Sequence, residues 1–472
     1  MVSIHRPEGG TRPPEERPSA GAAGVSRPHR CTYHCELAWV GGDTAVADVL
    51  VTVADERIVA VEPGVPATAD AVRLKGLTLP GLANAHSHAF HRALRGRTHH
   101  NTGSFWTWRE QMYALAATLD PDSYFRLARA TFAEMALAGV TCVGEFHYLH
   151  HQPGGTPYAD PNAIGAALLA AAAEAGTRIT LLDTCYLHGG IGQPLDDVQR
   201  RFSDGTVEAW ADRADGLQVG PGAKIGAAIH SVRAVDPGSI ERVARWAADR
   251  AVPLHAHVSE QPAENEASLA AFGLTPTGVL AERGALGAAF TAVHATHLTN
   301  ADVGLLGAHG STVCVCPTTE RDLADGIGPT GRLVAAGVAL TLGSDSHAVI
   351  DLFEEARAVE LDERLATLAR GNHTVSSLLA AATEAGHRSL GWPDAGRIEV
   401  GALADLVTVR LDSVRTAGGD DSLATAVFAA SANDVDHVVA GGRVVVRDGA
   451  HVSLDVATEL HHSITAVWED TR

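Results

Sequence analysis

Lysine is nearly missing from this chain of 472 residues: only Lys75 and Lys224 occur, so almost all of the positive charge is arginine. Positive charge is itself scarce. Thirty-six Lys and Arg face 56 Asp and Glu, and the net charge of −20 argues against nucleic acid and anionic membrane as partners, since both need a basic face. It leaves an anionic substrate open, because a few arginines reverse the field inside a pocket. No run approaches the ~20 apolar residues of a membrane span. The N-terminus, rich in Pro, Glu and Arg, has no apolar stretch of the kind that marks a secretory signal. No CxxC pair occurs among the six cysteines, Cys31, Cys35, Cys142, Cys185, Cys314 and Cys316. The last four sit in apolar, strand-like runs, where cysteine acts as a small hydrophobe, so reduced thiols and a cytoplasmic enzyme are expected. Hydrophobic content of 46% with 19% charged residues is that of an ordinary globular protein.

What is present falls into four parts. Residues 1–30, rich in Pro, Gly and charge, are expected to be a disordered tail. His29, Cys31, His34 and Cys35 fit no common zinc spacing and read as a strand entering a small sheet. Short β-like pieces follow at Cys35–Val40, Asp48–Ala54 and Arg57–Glu62, and a matching set lies at Asp405–Val409, Asp436–Val439 and Arg443–Arg447. The two sets predict one small β-sandwich built from both chain ends, residues 31–78 and 396–455, with 456–472 as a C-terminal segment. Between them, residues 79–395 alternate apolar strand-like runs with Ala-, Leu- and Arg-rich helical stretches. The runs are Leu79–His88, Val140–Leu149, Arg178–Leu187, Ala223–Val232, Val252–Ser259, Phe290–Leu298, Thr312–Pro317 and Val338–Ser344. Eight strands alternating with helices over ~300 residues predict an α/β fold, a (β/α)8 TIM-like barrel.

In such a barrel, functional side chains sit at the C-terminal ends of the strands, and the strand ends here are polar. Strand one ends in His86-Ser87-His88, strand two in Glu145-Phe146-His147-Tyr148, strand four in His230-Ser231-Val232-Arg233, strand five in His255-Ala256-His257-Val258-Ser259-Glu260, strand six in His294 and strand eight in Ser344-Asp345-Ser346-His347. Side chains at i and i+2 of a strand share a face, so His86 and His88 look at one place, as two ligands of one metal must. One histidine of strand five and Asp345 complete the set. Strand parity allows His255 or His257. His257 is preferred because Glu260 then stands three residues on, where its carboxylate reaches the water that the metal activates. Three imidazoles and one carboxylate suit Zn²⁺, with Fe²⁺ as the alternative. A two-metal site bridged by a lysine at the end of strand four is not expected, because Lys224 lies at that strand's start; one metal per chain is predicted. One open metal site implies hydrolysis. Asp345 touches metal and water, His294 acts as base or electrostatic stabiliser, and Glu260 gives a proton to a departing nitrogen.

These residues together resemble the deaminase branch of the amidohydrolase superfamily: PGLANAHSH (80–88), the HxxE of His257–Glu260, the histidine ending strand six and the GSDSH of 343–347. HSHAFHRALRG (86–96), FWTWRE (105–110), CPTTERDLADGIGP (316–329) and SDSHAVIDLFEEARAVELDERL (344–365) are further similar to the formimidoylglutamate deiminase family. That resemblance implies zinc-dependent hydrolysis of the formimino C=N of N-formimidoyl-L-glutamate, giving N-formyl-L-glutamate and ammonia in histidine degradation. It implies a homodimer, and a dicarboxylate substrate held by Arg109, Arg233 and Tyr148, with His230 near the formimino group. Arginine suits this role because it binds carboxylate bidentately. His91 stands where the family commonly has glutamine, and Arg321 is a weaker candidate for the same pocket. Another deaminase of the superfamily, acting on a purine, pyrimidine or triazine ring stacked on Trp106 and Trp108, is the second reading. A metal-binding barrel without catalysis is the third, but it predicts loss of Glu260 or His294, and both are present.

Overall fold

The computed structural model describes residues 30–99 and 105–469, without the side chains of Phe105 and Trp106. The expected tail up to His29, the ring of Trp106 and the last three residues lie outside the described residues.

Four strands open the chain: β1 (Arg30–Ala38), β2 (Val46–Ala54), β3 (Arg57–Pro63) and β4 (Val72–Pro80). Eight more follow, alternating with helices: β5 (Leu82–Ser87), β6 (Val140–His147), β7 (Arg178–Cys185), β8 (Ala223–Ile229), β9 (Leu254–Val258), β10 (Phe290–His294), β11 (Thr312–Val315) and β12 (Ala339–Leu342). These eight form one parallel sheet in sequential order. It closes where Ser87 bridges Asp345, with the Asp345 amide donating to His86 O at 3.0 Å and the His88 amide to Asp345 O at 3.3 Å. The result is the expected (β/α)8 barrel. Strands β5, β6, β7 and β9 are buried throughout, which is why they read as continuous apolar runs rather than alternating ones. The helices between them begin where the sequence says they should. Asp120, Asp236 and Thr275 each cap backbone amides of the turn that follows, and each precedes a proline at the first helical position, whose missing N–H has no intrahelical partner to lose.

The chain ends build the second sheet. With β13 (Leu406–Val409), β14 (Val435–Ala440), β15 (Arg443–Arg447) and β16 (Ala450–His451), its order is β16-β15-β14-β13-β4-β1-β2-β3. It folds over one core: Tyr33, Val51 and Leu74 pack with Leu406 and Val439, and the Tyr33 hydroxyl donates to Gly442 O at 2.9 Å. One expectation is corrected here. Leu79 and Pro80 belong to β4 in this sheet, not to the first barrel strand, and β4 itself was not anticipated. The apolar run continues without a break from one sheet into the other, and the first half of β4 is interrupted by Arg73, Lys75 and Gly76. The crossing is at Gly81, where a Cβ would meet Thr141 Oγ1 at 2.3 Å and Asp405 Cβ at 2.9 Å, so no other residue fits. Arg178 of β7 forms a buried ion pair with Asp405, whose other oxygen accepts from the Gly441 amide at 2.7 Å. This pins the two sheets together. The final helix, Val456–Glu469, lies against helix Pro121–Leu137, and Trp468 Nε1 donates to Ala93 O at 2.8 Å. No helix among the described residues is long and apolar enough to cross a membrane.

Candidate active site

The end of β5, the end of β9 and the loop after β12 converge. His86 Nε2 lies 3.1 Å from His257 Nε2 and 3.2 Å from Asp345 Oδ1, and His88 Nε2 lies 3.3 Å from the same oxygen. The backbone fixes which nitrogens face inward. His88 Nδ1 donates to Phe146 O and His257 Nδ1 to His230 O, each at 2.9 Å, so both Nε2 atoms present lone pairs. Burial also holds these imidazoles neutral: it pushes His88 down to about 3 and His257 well below the usual histidine value, with the neighbouring His86 adding to it. Asp345 is held well below the usual carboxylate range: burial opposes this, but His86 and the surrounding imidazoles outweigh it. The lone pairs of His88 and His257 thus face the Asp345 carboxylate and His86 Nε2 in a buried cluster, which a cation would satisfy. The spacing agrees, since ligands at 2.0–2.1 Å around a tetrahedral zinc stand about 3.3 Å apart. His255, the other strand-five candidate, lies deeper in the barrel and bonds Ser389 O at 3.0 Å. Lys224 is at the opposite end of the barrel, with its ammonium on Gly391 O and over the Trp392 ring.

The rim is strained where these groups sit. Asp345, His347, His294, Ala295 and Ser259 all have positive φ, between 40° and 66°, a conformation that non-glycine residues adopt only when their surroundings enforce it. Gly343 makes room for the sharp turn into Asp345: a Cβ there would lie 2.7 Å from His86 Cβ. Below it a buried network fixes the loop. Ser87 Oγ donates to Glu145 Oε2 at 2.5 Å, and Asn84 and Ser344 bond each other twice.

Beside this centre stand Glu260 and His294, both buried. His294 Nε2 is 3.8 Å from Glu260 Oε1 and 4.0 Å from Asp345 Oδ2, and its Nδ1 is 3.4 Å from Glu320 Oε1. Burial alone would lower the His294 imidazole, but the Glu260, Glu320 and Asp345 carboxylates raise it well above its usual value. Burial raises the Glu260 carboxyl, with His294 and Arg233 opposing. A carboxyl raised from its usual range and set beside a histidine at the centre is placed to carry a proton.

A cavity of about 280 Å³ opens from the centre, and His91, Arg109, Tyr148, His230 and Arg233 all line it, with Trp108, Tyr186 and Phe202. The Arg109 guanidinium lies over the Tyr113 ring, 4.9 Å from its centroid, and Nε donates to the Tyr113 hydroxyl at 2.8 Å. Gln199 Nε2 bonds the hydroxyls of Tyr113 and Tyr186 at 3.0 and 3.1 Å. His91 Nε2 and the Tyr148 hydroxyl are 3.0 Å apart. Burial and the neighbouring His88 keep His91 well below its usual value, so it is neutral near pH 7. The same holds for His230, through burial and the Arg233 and Arg109 cations.

Not every candidate reaches this cavity. Arg321 points outward and pairs with Glu354 and Asp362, both at 3.0 Å, so it is removed from the pocket. His147 is packed against His150 at 3.3 Å in a buried cluster outside the cavity. Tyr186, Gln261, Glu264 and Glu320 are new. Tyr186 follows β7, the third barrel strand, at the rim position where its neighbours carry polar groups, and that position was the available signal. Glu264 and Glu320 lie in first turns of helices, where an acid is ordinarily a dipole partner and gives no sign of burial.

The sequence profile of the amidohydrolase family matches residues 77–445. The Pseudomonas aeruginosa formimidoylglutamate deiminase is 38% identical over 81% of this chain and 87% of its own length. The 5-methylthioadenosine/S-adenosylhomocysteine deaminase of Natronomonas pharaonis is 30% identical over 80% of this chain and 83% of its own. The crystal structure of an amidohydrolase from Brucella melitensis superposes with a TM-score of 0.84 at 32% identity, covering 93% of this chain and all of that one.

Proposed function

The chain belongs to the amidohydrolase family, a generally metal-dependent family of hydrolases that act on C–N bonds, and from that premise we propose that it is the deiminase of N-formimidoyl-L-glutamate in histidine degradation. The observation that carries this reading is the pair of arginines, Arg109 and Arg233, in the cavity that opens from the histidine–aspartate centre. A substrate with a reacting amidine at one end and two carboxylates at the other fits such a cavity, since arginine's planar fork matches a carboxylate. The likeness to the Pseudomonas deiminase supports it. His86, His88, His257 and Asp345 would hold one zinc ion, with iron(II) as the alternative. A divalent cation held there brings the pKa of water towards neutrality and polarises the bond under attack.

The protein's own groups do the rest. Arg109, Arg233 and Tyr148 bind the carboxylates and present the formimidoyl carbon to the centre. Water adds its oxygen to that carbon, and Glu260 carries one water proton to the imino nitrogen. Asp345, with His294 beside it, takes the hydroxyl proton. The C–N bond breaks, the second proton leaves with the nitrogen as ammonia, and the oxygen becomes the formyl carbonyl. The test is ammonia release by zinc-loaded enzyme. N-formimidoyl-L-glutamate should exceed guanine, cytosine and 5-methylthioadenosine by 100-fold or more in kcat/KM. Faster turnover of a ring would establish the second reading, which the aromatic lining of Trp108, Tyr148, Tyr186 and Phe202 and the likeness to a nucleoside deaminase favour.

A further inference from the structure

Helix Pro262–Phe272 covers one side of the cavity and buries only Glu264 and Ser268, while its Leu269 is 49% exposed. An amphipathic helix does the reverse, because burying a carboxylate is unfavourable unless it is paired and hydrogen-bonded. Glu264 is 2% exposed, lines the cavity, and has no side-chain hydrogen-bond partner; burial raises its carboxyl, and the Arg233 guanidinium and the nearby backbone of Glu260 and Ser259 oppose that, favouring its charged form. Arg233 Nε, 3.8 Å away, is also buried and without a partner. On its other side Arg233 Nη2 stands 3.8 Å from Glu260 Oε2. The guanidinium therefore lies between two carboxylates, close enough to both to be held by charge and hydrogen-bonded to neither. Without Glu264, one carboxylate would remain, and the arginine would be drawn to Glu260, towards the reacting end and away from the distal part of the cavity.

We propose that Glu264 is the positioning residue for Arg233, holding its guanidinium off Glu260 and turned towards a ligand carboxylate. The proposal rests on the reading of Arg233 as a carboxylate-binding group. It makes a prediction whose sign is opposite to that of simple electrostatics. Removing a negative charge next to an anion site should tighten anion binding; removing a positioning group should weaken it.

The probe is N-formyl-L-glutamate, its Kd measured by calorimetry on the zinc-loaded full chain. Glu264→Gln, which keeps the shape, should weaken binding tenfold or more. Glu264→Asp, which keeps the charge, should lie closer to wild type. In an Arg233→Met background, Glu264→Gln should change Kd by less than twofold, because the residue acts through the arginine. Tighter or unchanged binding by Glu264→Gln, or the same tenfold loss in both backgrounds, overturns the proposal. Should Glu264→Gln fail to fold, Glu264→Ala is read in the same cycle, and equal losses with and without Arg233 overturn it. Ammonia release by the wild type reports separately on the function: an enzyme that releases none from the formimidoyl compound, yet binds the dicarboxylate through the coupled pair, refutes that reading and leaves this one standing. A wild type that does not bind the dicarboxylate refutes both.

Discussion

Glu260→Gln separates proton transfer from metal binding. Around Asp345, the ligand atoms of His86, His257 and His294 lie within 4.8 Å of one another and of the carboxylate, and so do those of His88 and His91; Glu260 belongs to neither set and stands 3.8 Å from His294. The amide is isosteric with the carboxyl, so the cavity keeps its shape and the centre keeps its donors. What is lost is a group that takes up and gives off a proton, and positioned acid–base catalysis contributes about 10²–10⁴ in rate, or about 3–5 kcal/mol of barrier. Burial raises the Glu260 carboxyl, the direction that makes a carboxyl a better proton carrier. Arg233 loses one of its two flanking carboxylates but retains Glu264 at 3.8 Å, so the loss should fall on kcat far more than on KM. Saturation kinetics by coupled ammonia detection, with elemental analysis of the same preparation, measure both quantities. A kcat within tenfold of wild type would refute the proton-carrier role, and loss of zinc would make Glu260 a ligand and reopen the choice between His255 and His257.

Arg233→Met should raise KM for the dicarboxylate about 10- to 150-fold, from the ~1.5–3 kcal/mol of a hydrogen bond to a charged group; unchanged KM in saturation kinetics would place the carboxylate elsewhere. Asp405→Ala leaves Arg178 buried and unpaired and breaks the tie between the two sheets, so the urea midpoint should fall by an amount equivalent to about 3–5 kcal/mol; a fall of under 1 kcal/mol would show the pair to be dispensable. Burial, with Arg213 adding to it, pushes His150 down to about 4. The unfolded chain takes up this proton near pH 6.5 and the folded chain does not, so stability should fall as pH drops from about 6.5 to 4, by on the order of 1–3 kcal/mol from this group. Denaturation midpoints across that window should fall less steeply in His150→Gln, and an equal slope would refute the assignment.

The barrel was legible because parallel strands covered on both faces are short apolar runs with polar residues gathered at one end, as Val140–His147 and Leu254–Val258 show. The convergence of the histidines on Asp345 was legible for a related reason: strand parity puts His86 beside His88, and one strand-end rule brings them to Asp345. Parity could not choose between His255 and His257, because the two share a face and differ only in depth along the barrel. Residues that reach the cavity from outside the strands were the least legible. Arg321 and Glu264 are both charged residues near loop–helix junctions, yet Arg321 faces two surface carboxylates and Glu264 is enclosed. Their sequence contexts do not distinguish them; the docking of the helices does. The boundary at Gly81 was hidden because the apolar run Leu79–Ala83 passes from the end of β4 into the start of β5 and serves two sheets.

That shared stretch bears on how the protein is made. The Thr78 hydroxyl of β4 meets that of Thr408 in β13, 330 residues later. At ribosomal speeds of about 5–20 residues per second, roughly 15–65 s separate the emergence of β4 from that of its partner. For that interval one edge of β4, directly preceding the strand that carries His86 and His88, is an unmatched ladder of amides and carbonyls, the kind of surface that recruits a second strand from another chain. The whole barrel is synthesised while that edge waits, so the yield of active protein depends on what shields β4 before its C-terminal neighbour arrives.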